Sequence, residues 1–287
     1  MRLRAPAKIN LTLDITGVRE DGYHLISSVM QQVSLYDTVE LRLNSEGSIR
    51  ISSNVRYIPC DGRNICWKAA ERYFQAAGLT GVGADIYIRK IIPTSAGLAG
   101  GSSDGAAVML GLEQLTHALG PRLAEISGSV GADLPFCIKG GTCLCEGIGD
   151  ILTPISRSRS NKIHIAVAKN TRGLSTPAIY SLYDSKRREP PVPDTATNTE
   201  RLVRALERGD IQAVCGCMRN ALEEVSAAEK PEIMQLKREM LSLGAINAMM
   251  SGSGPSVFGI FPDEDSAKYC VRALKSRGMT AYHAYFL

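Results

Sequence analysis

The sequence lacks a long apolar run and a strong excess of charge of one sign. No stretch approaches the length of a membrane span, and the N-terminus has no apolar segment typical of a secretory signal. The 33 basic residues exceed the 29 acidic ones to give a net charge of +4, and they are spread along the chain. We therefore expect a cytoplasmic protein with no membrane segment and no nucleic-acid partner.

Cysteine patterns typical of metal sites are also lacking. The eight cysteines include two Cys-x-Cys pairs, at 143/145 and 215/217, which are too closely spaced for usual zinc ligands and have no neighbouring histidine. In a chain without a secretory signal we expect reduced, mostly buried thiols. The sequence predicts no protein ligand for a metal.

The commonest phosphate-binding motifs are missing. A P-loop requires Gly-x-x-x-x-Gly-Lys-Ser/Thr, and no Gly-Lys dipeptide occurs in this chain. The dinucleotide motif Gly-x-Gly-x-x-Gly, the protein-kinase HRD and DFG motifs and the His-Glu-x-x-His metal motif are absent as well. A phosphate-binding function would have to use a less common motif.

Length and patterning predict an α+β protein of two domains. A chain of 287 residues with 44% hydrophobic and 22% charged residues suits a globular protein with a substantial core. A polar stretch near 154–161 suggests a boundary that divides the chain into domains 1–155 and 156–287. Alternation over residues 3–15 predicts one N-terminal strand, and residues 171–197 hold turn-rich stretches around Tyr180. Helical patterns follow near 198–208, 210–225 and 231–243, and the end of the chain has a β-β-α-β pattern near 245–250, 256–261, 265–277 and 279–286. The basic run 186–188 begins a proline-rich segment that we interpret as a surface loop.

A loop rich in glycine and serine separates a strand from a helix. Residues 84–89 alternate with the period of a strand, whereas Val108, Leu112, Leu115 and Leu119 have the spacing of one buried helix face. Glycines allow the backbone to approach phosphate oxygens, and a helix N-terminus favours an anion. The alternative is a simple strand-to-helix turn, and the segment alone does not decide between them.

Other polar residues have two interpretations each. Lys8 and Asn10 project from one side of a strand, about 6–7 Å apart, and would line a cleft or a solvent-exposed face. Tyr23 and His24 follow a turn and would contact a nucleobase or pack within the protein. Asn64 is predicted to cap a helix. Asp133 lies at an expected helix-to-strand junction among small and apolar residues. Its carboxylate would either bind a partner there or serve a chemical function, or it would cap the next segment.

Three segments in order resemble the motifs of the GHMP small-molecule kinases. They are Pro-Ala-Lys-Ile-Asn-Leu at 6–11, Pro-x-x-x-Gly-Leu-x-Gly-Gly-Ser-Ser at 93–103 and Ser-Gly-Ser-Gly-Pro-Ser at 251–256. Arg-Glu-Asp-Gly-Tyr-His at 19–24 and Gly-Ala-Asp-Leu-Pro-Phe at 131–136 resemble the branch that phosphorylates a cytidine-diphosphate-linked alcohol in the non-mevalonate route to isoprenoids. The resemblance implies an N-terminal domain like ribosomal protein S5 domain 2 and a ferredoxin-like C-terminal domain.

The resemblance also implies a role for each matching residue. Lys8 and Asp133 match the catalytic pair, with Asp133 accepting or orienting the substrate hydroxyl and Lys8 neutralising charge on the phosphoryl group. Asn10, Tyr23, His24 and Tyr180 would contact the substrate. ATP, accompanied by Mg²⁺, would be the donor. The implied ATP-binding residues are Asn64, Lys90, Pro93, Thr94, Ser95, Ala96, Gly97, Leu98, Ala99, Gly100, Gly101, Ser102 and Ser103.

Several alternatives remain open at this point. The chain could act on another alcohol, such as homoserine or mevalonate, or it could be a catalytically silent ATP-binding relative or a decarboxylating relative. His24 beside Tyr23 favours the cytidine-linked substrate, and the presence of both Lys8 and Asp133 argues against a silent protein. The loop has Thr94, Ser95, Ala96 and Ala99 where the family often has glycine, which should stiffen it slightly. We expect a monomer or a homodimer.

Overall fold

The computed structural model describes residues 1–158, 162–186 and 195–287, with the backbone alone at 195–197. The chain forms two compact units. The first comprises Met1–Ala7, Tyr36–Ile92 and Ala99–Gly140, and the second comprises Lys8–Leu35, Pro93–Leu98 and Gly141–Leu287. The domain boundary expected between residues 155 and 156 stays a prediction. Most of the proline-rich segment expected to form a surface loop after residue 186 lies outside the described residues.

The strands are numbered in the order in which they occur along the chain. They are β1 (Arg2–Asn10), β2 (Thr12–Val18), β3 (His24–Asn44), β4 (Ile49–Ser53), β5 (Gly83–Arg89), β6 (Thr142–Glu146), β7 (Ile151–Pro154), β8 (His164–Lys169), β9 (Arg219–Asn220), β10 (Asn247–Met250), β11 (Val257–Phe261) and β12 (Thr280–Tyr285).

The helices lie between these strands along the chain, singly or in groups of two or three. They are α1 (Ile65–Ala77), α2 (Gly100–Thr116), α3 (Arg122–Ser127), α4 (Leu134–Lys139), α5 (Thr176–Lys186), α6 (Thr195–Arg208), α7 (Ile211–Cys217), α8 (Glu223–Glu229), α9 (Glu232–Ser242) and α10 (Glu264–Ser276). Within the described part of the chain, no helix has both the length and the apolar character needed to cross a membrane.

The first unit packs helices against a small sheet. Strand β5 pairs antiparallel with residues 38–44 of β3 and parallel with β4. Buried side chains of these strands, such as Leu41 and Ile86, share one core with Tyr73 of α1 and with Val108 and Leu112 of α2. This core holds the middle of α2, the helix that begins where the glycine loop ends.

The second unit contains a four-stranded antiparallel sheet in the order β10-β11-β8-β12. Ala166 and Ala168 of β8 and Ala281 of β12 share a core with residues of α10, including Cys270 and Leu274. Elsewhere in this unit, β2 pairs with residues 24–27 of β3 and with β9, and residues 28–31 of β3 pair with β6. The sheet and helix at the end of the chain confirm the predicted β-β-α-β pattern.

Local sequence signals located several elements correctly. The side chain of Asn64 accepts a hydrogen bond from the backbone N–H of Cys66, which confirms the predicted helix cap. Six of the eight cysteines are buried, as expected. The helix after the glycine loop exists, but Leu115 on its expected buried face is exposed and the helix ends at Thr116.

Four predictions about local structure are wrong. The N-terminal strand is interrupted at Leu11, and the helix predicted over 210–225 is divided into α7, the short strand β9 and α8. Tyr180 lies in helix α5 instead of a turn-rich stretch, and Asp133 precedes helix α4 instead of a strand. Both unexpected helices have a proline in the first turn, where its missing N–H removes no helical hydrogen bond.

Candidate active site

The first half of the glycine loop is held by hydrogen bonds to its backbone carbonyls within the second unit. Gly97 has φ of 75°, and a Cβ on it would overlap the carbonyl oxygen of Ser251. The hydroxyl of Ser251 donates to the Gly97 carbonyl at 2.9 Å, and the N–H of Lys8 donates to the Leu98 carbonyl at 3.1 Å. Lys169 Nζ donates to the Thr94 carbonyl at 2.8 Å. The loop therefore has a defined path that requires glycine at position 97.

The second half of the loop enters helix α2 in the first unit. Ala99 has left-handed backbone angles, and the helix starting at Gly100 has no side-chain cap and no acidic residue in its first turn. Such a helix start favours an anionic ligand electrostatically, since N–H groups of the first turn lack helical acceptors. Ser102 is partly buried, whereas the hydroxyl of buried Ser103 donates to the Pro6 carbonyl at 2.7 Å. Ser103 thus commits its hydroxyl proton within the fold.

A buried ion cluster lies beneath this helix start. Lys90 Nζ donates to Asp37 Oδ2 at 2.5 Å and to Asp104 Oδ2 at 2.7 Å. A Cβ added to Gly100 would come within 3.3 Å of the same ammonium nitrogen. Asp37 also accepts hydrogen bonds from the backbone N–H groups of Ile91 and Ile92. The cluster joins the end of β5 to the first turns of α2.

The charges in this cluster shift two pKa values. Burial raises the pKa of Asp104 to about 7, although Lys90 opposes the shift. Burial alone would lower the pKa of Lys90, but Asp104 and Asp37 outweigh it and raise that pKa. The second oxygen of Asp104 is buried without a hydrogen-bond partner. Lys90, expected from the sequence to approach ATP, has its ammonium group directed at two carboxylates.

Asn64 also uses its side chain within the first unit. Its oxygen caps α1, and its Nδ2 donates to the carbonyl of Pro59 at 2.7 Å. Ile65, the next residue, lies 3.5 Å from where Gly101 would carry a Cβ. The side-chain amide of Asn64 thus has protein partners on both of its atoms, and its predicted role toward ATP stays a prediction.

Asp133 directly precedes α4 in the first unit. Its side chain is partly buried and makes no capping hydrogen bond to that helix. The interpretation of Asp133 as a helix cap is therefore wrong. A carboxylate placed next to buried Leu134 and Phe136 remains suited to accepting a hydrogen bond from a substrate hydroxyl.

Lys8 belongs to a buried polar chain in the second unit. Lys8 Nζ donates to Asn10 Oδ1 at 2.7 Å, and Asn10 Nδ2 donates to Ser28 Oγ at 2.8 Å. Ser28 in turn donates to the Thr12 carbonyl at 2.5 Å. Lys8 is 5% exposed and Asn10 is fully buried. Asn10, predicted to contact the substrate, is therefore placed to orient Lys8.

Two of the predicted nucleobase residues, His24 and Tyr180, are in contact in the second unit, and His24 has a carboxylate partner. The rings of His24 and Tyr180 lie 4.6 Å apart between centroids and are tilted by 38°. His24 Nε2 lies 2.8 Å from Asp184 Oδ1, one turn after Tyr180 on α5. An ionised carboxylate only accepts, so Nε2 is the donor in this contact, and in the tautomer that donates from Nε2 the other ring nitrogen, Nδ1, is an acceptor. Tyr23 is 59% exposed.

Sequence reasoning missed four residues at these sites. Asp184 and Ser28 were not identified because their partners are 160 and 18 residues away in the chain. Asp37 and Asp104 were missed for the same reason, since 53 and 14 residues separate them from Lys90. Buried acids in apolar segments need partners, and that was the one available signal for Asp37 and Asp104.

Family models, curated proteins and solved structures that are similar to this chain all point to one family of kinases. Residues 64–141 match the family described as GHMP kinases N terminal domain, and residues 202–279 match GHMP kinases C terminal. The chain is 41% identical over 286 residues to 4-diphosphocytidyl-2-C-methyl-D-erythritol kinase of Clostridium tetani, covering 98% of each protein. A crystal structure of 4-(cytidine 5'-diphospho)-2C-methyl-D-erythritol kinase has a TM-score of 0.81 at 32% identity, covering 100% of this chain and 99% of that one.

A further solved structure shares the fold at lower identity. The homoserine kinase from Cytophaga hutchinsonii has a TM-score of 0.78 and is 19% identical, covering 100% of this chain and 94% of that one. At this identity the similarity concerns the fold alone.

Proposed function

The chain belongs to the GHMP kinase family, and we propose that it transfers the terminal phosphoryl group of ATP to the 2-hydroxyl of 4-diphosphocytidyl-2-C-methyl-D-erythritol. The relatives over the full length confirm the predicted small-molecule kinase activity, ATP as the donor and the non-mevalonate isoprenoid route. The two matched families and the solved structure confirm the predicted α+β GHMP kinase fold. The roles of individual residues are our proposal.

We propose that the loop at 93–103 binds the ATP phosphates through its backbone. The support is the uncapped start of α2 at Gly100, which lacks acidic residues in its first turn. Ser102 adds a hydroxyl, whereas Ser103 holds the helix start against Pro6. Lys90 stabilises this arrangement from below, because its ammonium group is bound by Asp37 and Asp104.

The transfer itself requires charge stabilisation and positioning more than covalent chemistry by the protein. In our proposal Lys8, oriented by Asn10, neutralises charge that develops on the transferred group. Asp133 accepts the hydrogen bond of the substrate hydroxyl and receives its proton as the new P–O bond forms. ADP leaves with the electron pair of the broken bond.

We propose that Mg²⁺ arrives with ATP and is held by phosphate oxygens and water. The first turn of α2 has no acidic side chain, and the nearby Asp37 and Asp104 are buried against Lys90. These residues therefore suit phosphate binding more than metal coordination. The ion would supply additional neutralisation of the phosphate charge when bound.

One observation carries the substrate assignment. His24 is fixed by Asp184 and packs against Tyr180, which leaves an imidazole nitrogen oriented as an acceptor for an amino group such as that of cytosine. Exposed Tyr23 adds an aromatic surface. Homoserine and mevalonate carry no nucleobase that would use this arrangement.

A coupled ADP-release assay over a panel of alcohols tests the proposal. We expect turnover with the cytidine-linked substrate and at least about 100-fold lower kcat/KM with homoserine or mevalonate. Turnover with one of those two alcohols and none with the cytidine compound would overturn it. If ADP were released at the same rate with every alcohol, the chain would not select the cytidine-linked substrate, and the proposed reaction would not be its activity.

Cytoplasmic location, the monomeric or homodimeric state and the absence of a nucleic-acid partner stay predictions. The modest net charge of +4 supports the last of them, since the basic residues form no extended run in the sequence.

A further inference from the structure

Two histidines and a glutamate come together in the second unit, on the face of the sheet covered by α10. His164 begins β8 and His283 lies in β12, where it pairs with Ala166, so the two imidazoles are diagonal neighbours on one face. Glu264 is the first residue of α10. One potential ligand atom from each residue lies within 4.8 Å of the other two. Three separate elements thus contribute to one cluster.

The two imidazoles are close to the separation that a shared metal ion requires. His164 Nδ1 and His283 Nε2 are 3.1 Å apart, and the ring planes differ by 14°. Two nitrogens bound at about 2.0–2.1 Å in a tetrahedral site lie roughly 3.3–3.4 Å apart. A metal would therefore replace the proton between the rings after an opening of a few tenths of an ångström. Small rotations of the rings would supply the remaining adjustment, because the terminal torsion of histidine is broad.

One of the three side chains is held only by a weak ion pair. Glu264 Oε1 lies 2.7 Å from Lys268 Nζ, and both side chains are roughly half exposed. An exposed ion pair of this kind contributes little to stability, so a metal ion could displace the ammonium group from the carboxylate.

We propose that His164, Glu264 and His283 bind one Zn²⁺ ion, with water completing its coordination. Two imidazoles and one carboxylate are a donor set that zinc accepts in a tetrahedral site. The ion would tie β8, β12 and α10 together. His164 and Lys169 are at opposite ends of β8, about 16 Å apart along the strand, and it is Lys169 that contacts the glycine loop. The site is therefore structural, and it does not depend on the kinase reaction.

Metal titration of the chelator-treated full-length chain tests this proposal. With Zn²⁺ in isothermal titration calorimetry we expect one equivalent bound with a Kd near or below about 10 µM, and a melting temperature raised by several degrees at saturation. Co²⁺ should bind at the same stoichiometry and give visible absorption typical of a site with nitrogen and oxygen ligands. His283→Ala and Glu264→Gln should each weaken Zn²⁺ binding at least about 10-fold.

Two further variants sharpen the test. His117→Asn removes a histidine at the end of α2, outside the cluster, and should leave binding unchanged. Lys268→Ala removes the ammonium group that competes with the metal for the Glu264 carboxylate, so Zn²⁺ binding should tighten about 2- to 5-fold. Glu264 is exposed, so Glu264→Gln keeps the test valid if His283→Ala does not fold.

The proposal is overturned by either of two results. One is the absence of stoichiometric binding below about 100 µM Zn²⁺, which would leave the imidazoles as a hydrogen-bonded pair only. The other is equally tight binding by His283→Ala and Glu264→Gln, which would place the metal on other residues such as the exposed Cys60.

Discussion

Lys90 Nζ lies 2.7 Å from Asp104 Oδ2, and this contact connects the end of strand β5 to helix α2 just below Gly100. The ammonium group also contacts Asp37, so two carboxylates share one buried cation. Asp37 has two further backbone N–H donors, whereas Asp104 has one buried oxygen without a partner. Burial raises the pKa of Asp104 to about 7, and the adjacent Asp37 adds to the shift, although Lys90 opposes it.

This raised pKa predicts a pH dependence of stability. An unfolded aspartate has a pKa of about 3.9, so between about pH 4 and pH 7 the folded protein binds the extra proton at Asp104. Its contribution to the free energy of unfolding therefore falls as pH rises through this range and is constant above it. Asp104→Asn should remove that fall, which we expect to exceed about 1 kcal/mol.

Urea denaturation of both proteins at several values between pH 4.5 and 8 provides the measurement. Other ionisable groups contribute to both curves, so the difference between them isolates Asp104. Parallel curves would show that Asp104 is ionised throughout, and the account of the cluster would be wrong.

Asn10 distinguishes an orienting role from substrate contact. Its side chain is buried between Lys8 and Ser28, so Asn10→Ala should lower kcat by about 10- to 100-fold with little change in the KM of either substrate. In the Lys8→Met variant the same substitution should have almost no further effect on kcat, because the ammonium group that Asn10 orients is already absent.

Steady-state kinetics of the two single variants and the double variant make this comparison. A raised KM with unchanged kcat would restore the first prediction, in which Asn10 touches the substrate. Additive losses in the double variant would show that Asn10 acts independently of Lys8.

Asp184 should act through His24. Asp184→Asn replaces an acceptor with a side chain that can also donate, which weakens control of the imidazole tautomer. We expect the KM of the cytidine-linked substrate to rise about 5- to 20-fold while the KM of ATP stays constant. Glu229→Gln, at an exposed acid on α8, is the matched control and should leave both values unchanged. Equal increases for the two substrates would assign Asp184 a general structural role.

Gly97 should tolerate no side chain. A Cβ at its φ of 75° would overlap the Ser251 carbonyl, so Gly97→Ala should lower the free energy of unfolding by about 2 kcal/mol or more. Gly101→Ala is the control, because its Cβ would meet Ile65 at an ordinary 3.5 Å and helical alanine is favourable. Thermal and urea denaturation measure the free energy of unfolding of the two variants. Equal stability of the two variants would mean that the loop is not fixed by this approach.

The sequence was most informative where structure depends on neighbouring residues. The Asn64 cap, the helix after the glycine loop and the terminal β-β-α-β pattern follow from local periodicity and capping. Helices α4 and α5 were missed because each has a proline near its start, in segments whose small and polar residues resemble turns. Their helical state depends on burial of residues such as Phe136 and Ile179.

The candidate site divides in the same way. Motif resemblance named Lys8, His24 and Asp133, but it assigned Lys90 and Asn10 by position alone. The partners that give those two side chains their orientation, Asp104 and Ser28, are brought close by tertiary packing. Sequence spacing carries no information about such contacts.

Phosphorus NMR of the reaction product tests the central proposal most directly. With ATP and 4-diphosphocytidyl-2-C-methyl-D-erythritol, we predict one new phosphomonoester signal whose coupling to carbon places it on the 2-hydroxyl, beside an intact diphosphate. Asp133→Asn should form it at least about 100-fold more slowly with its fold unchanged. A phosphate on a different hydroxyl, or ADP formed without any phosphomonoester, would contradict the account.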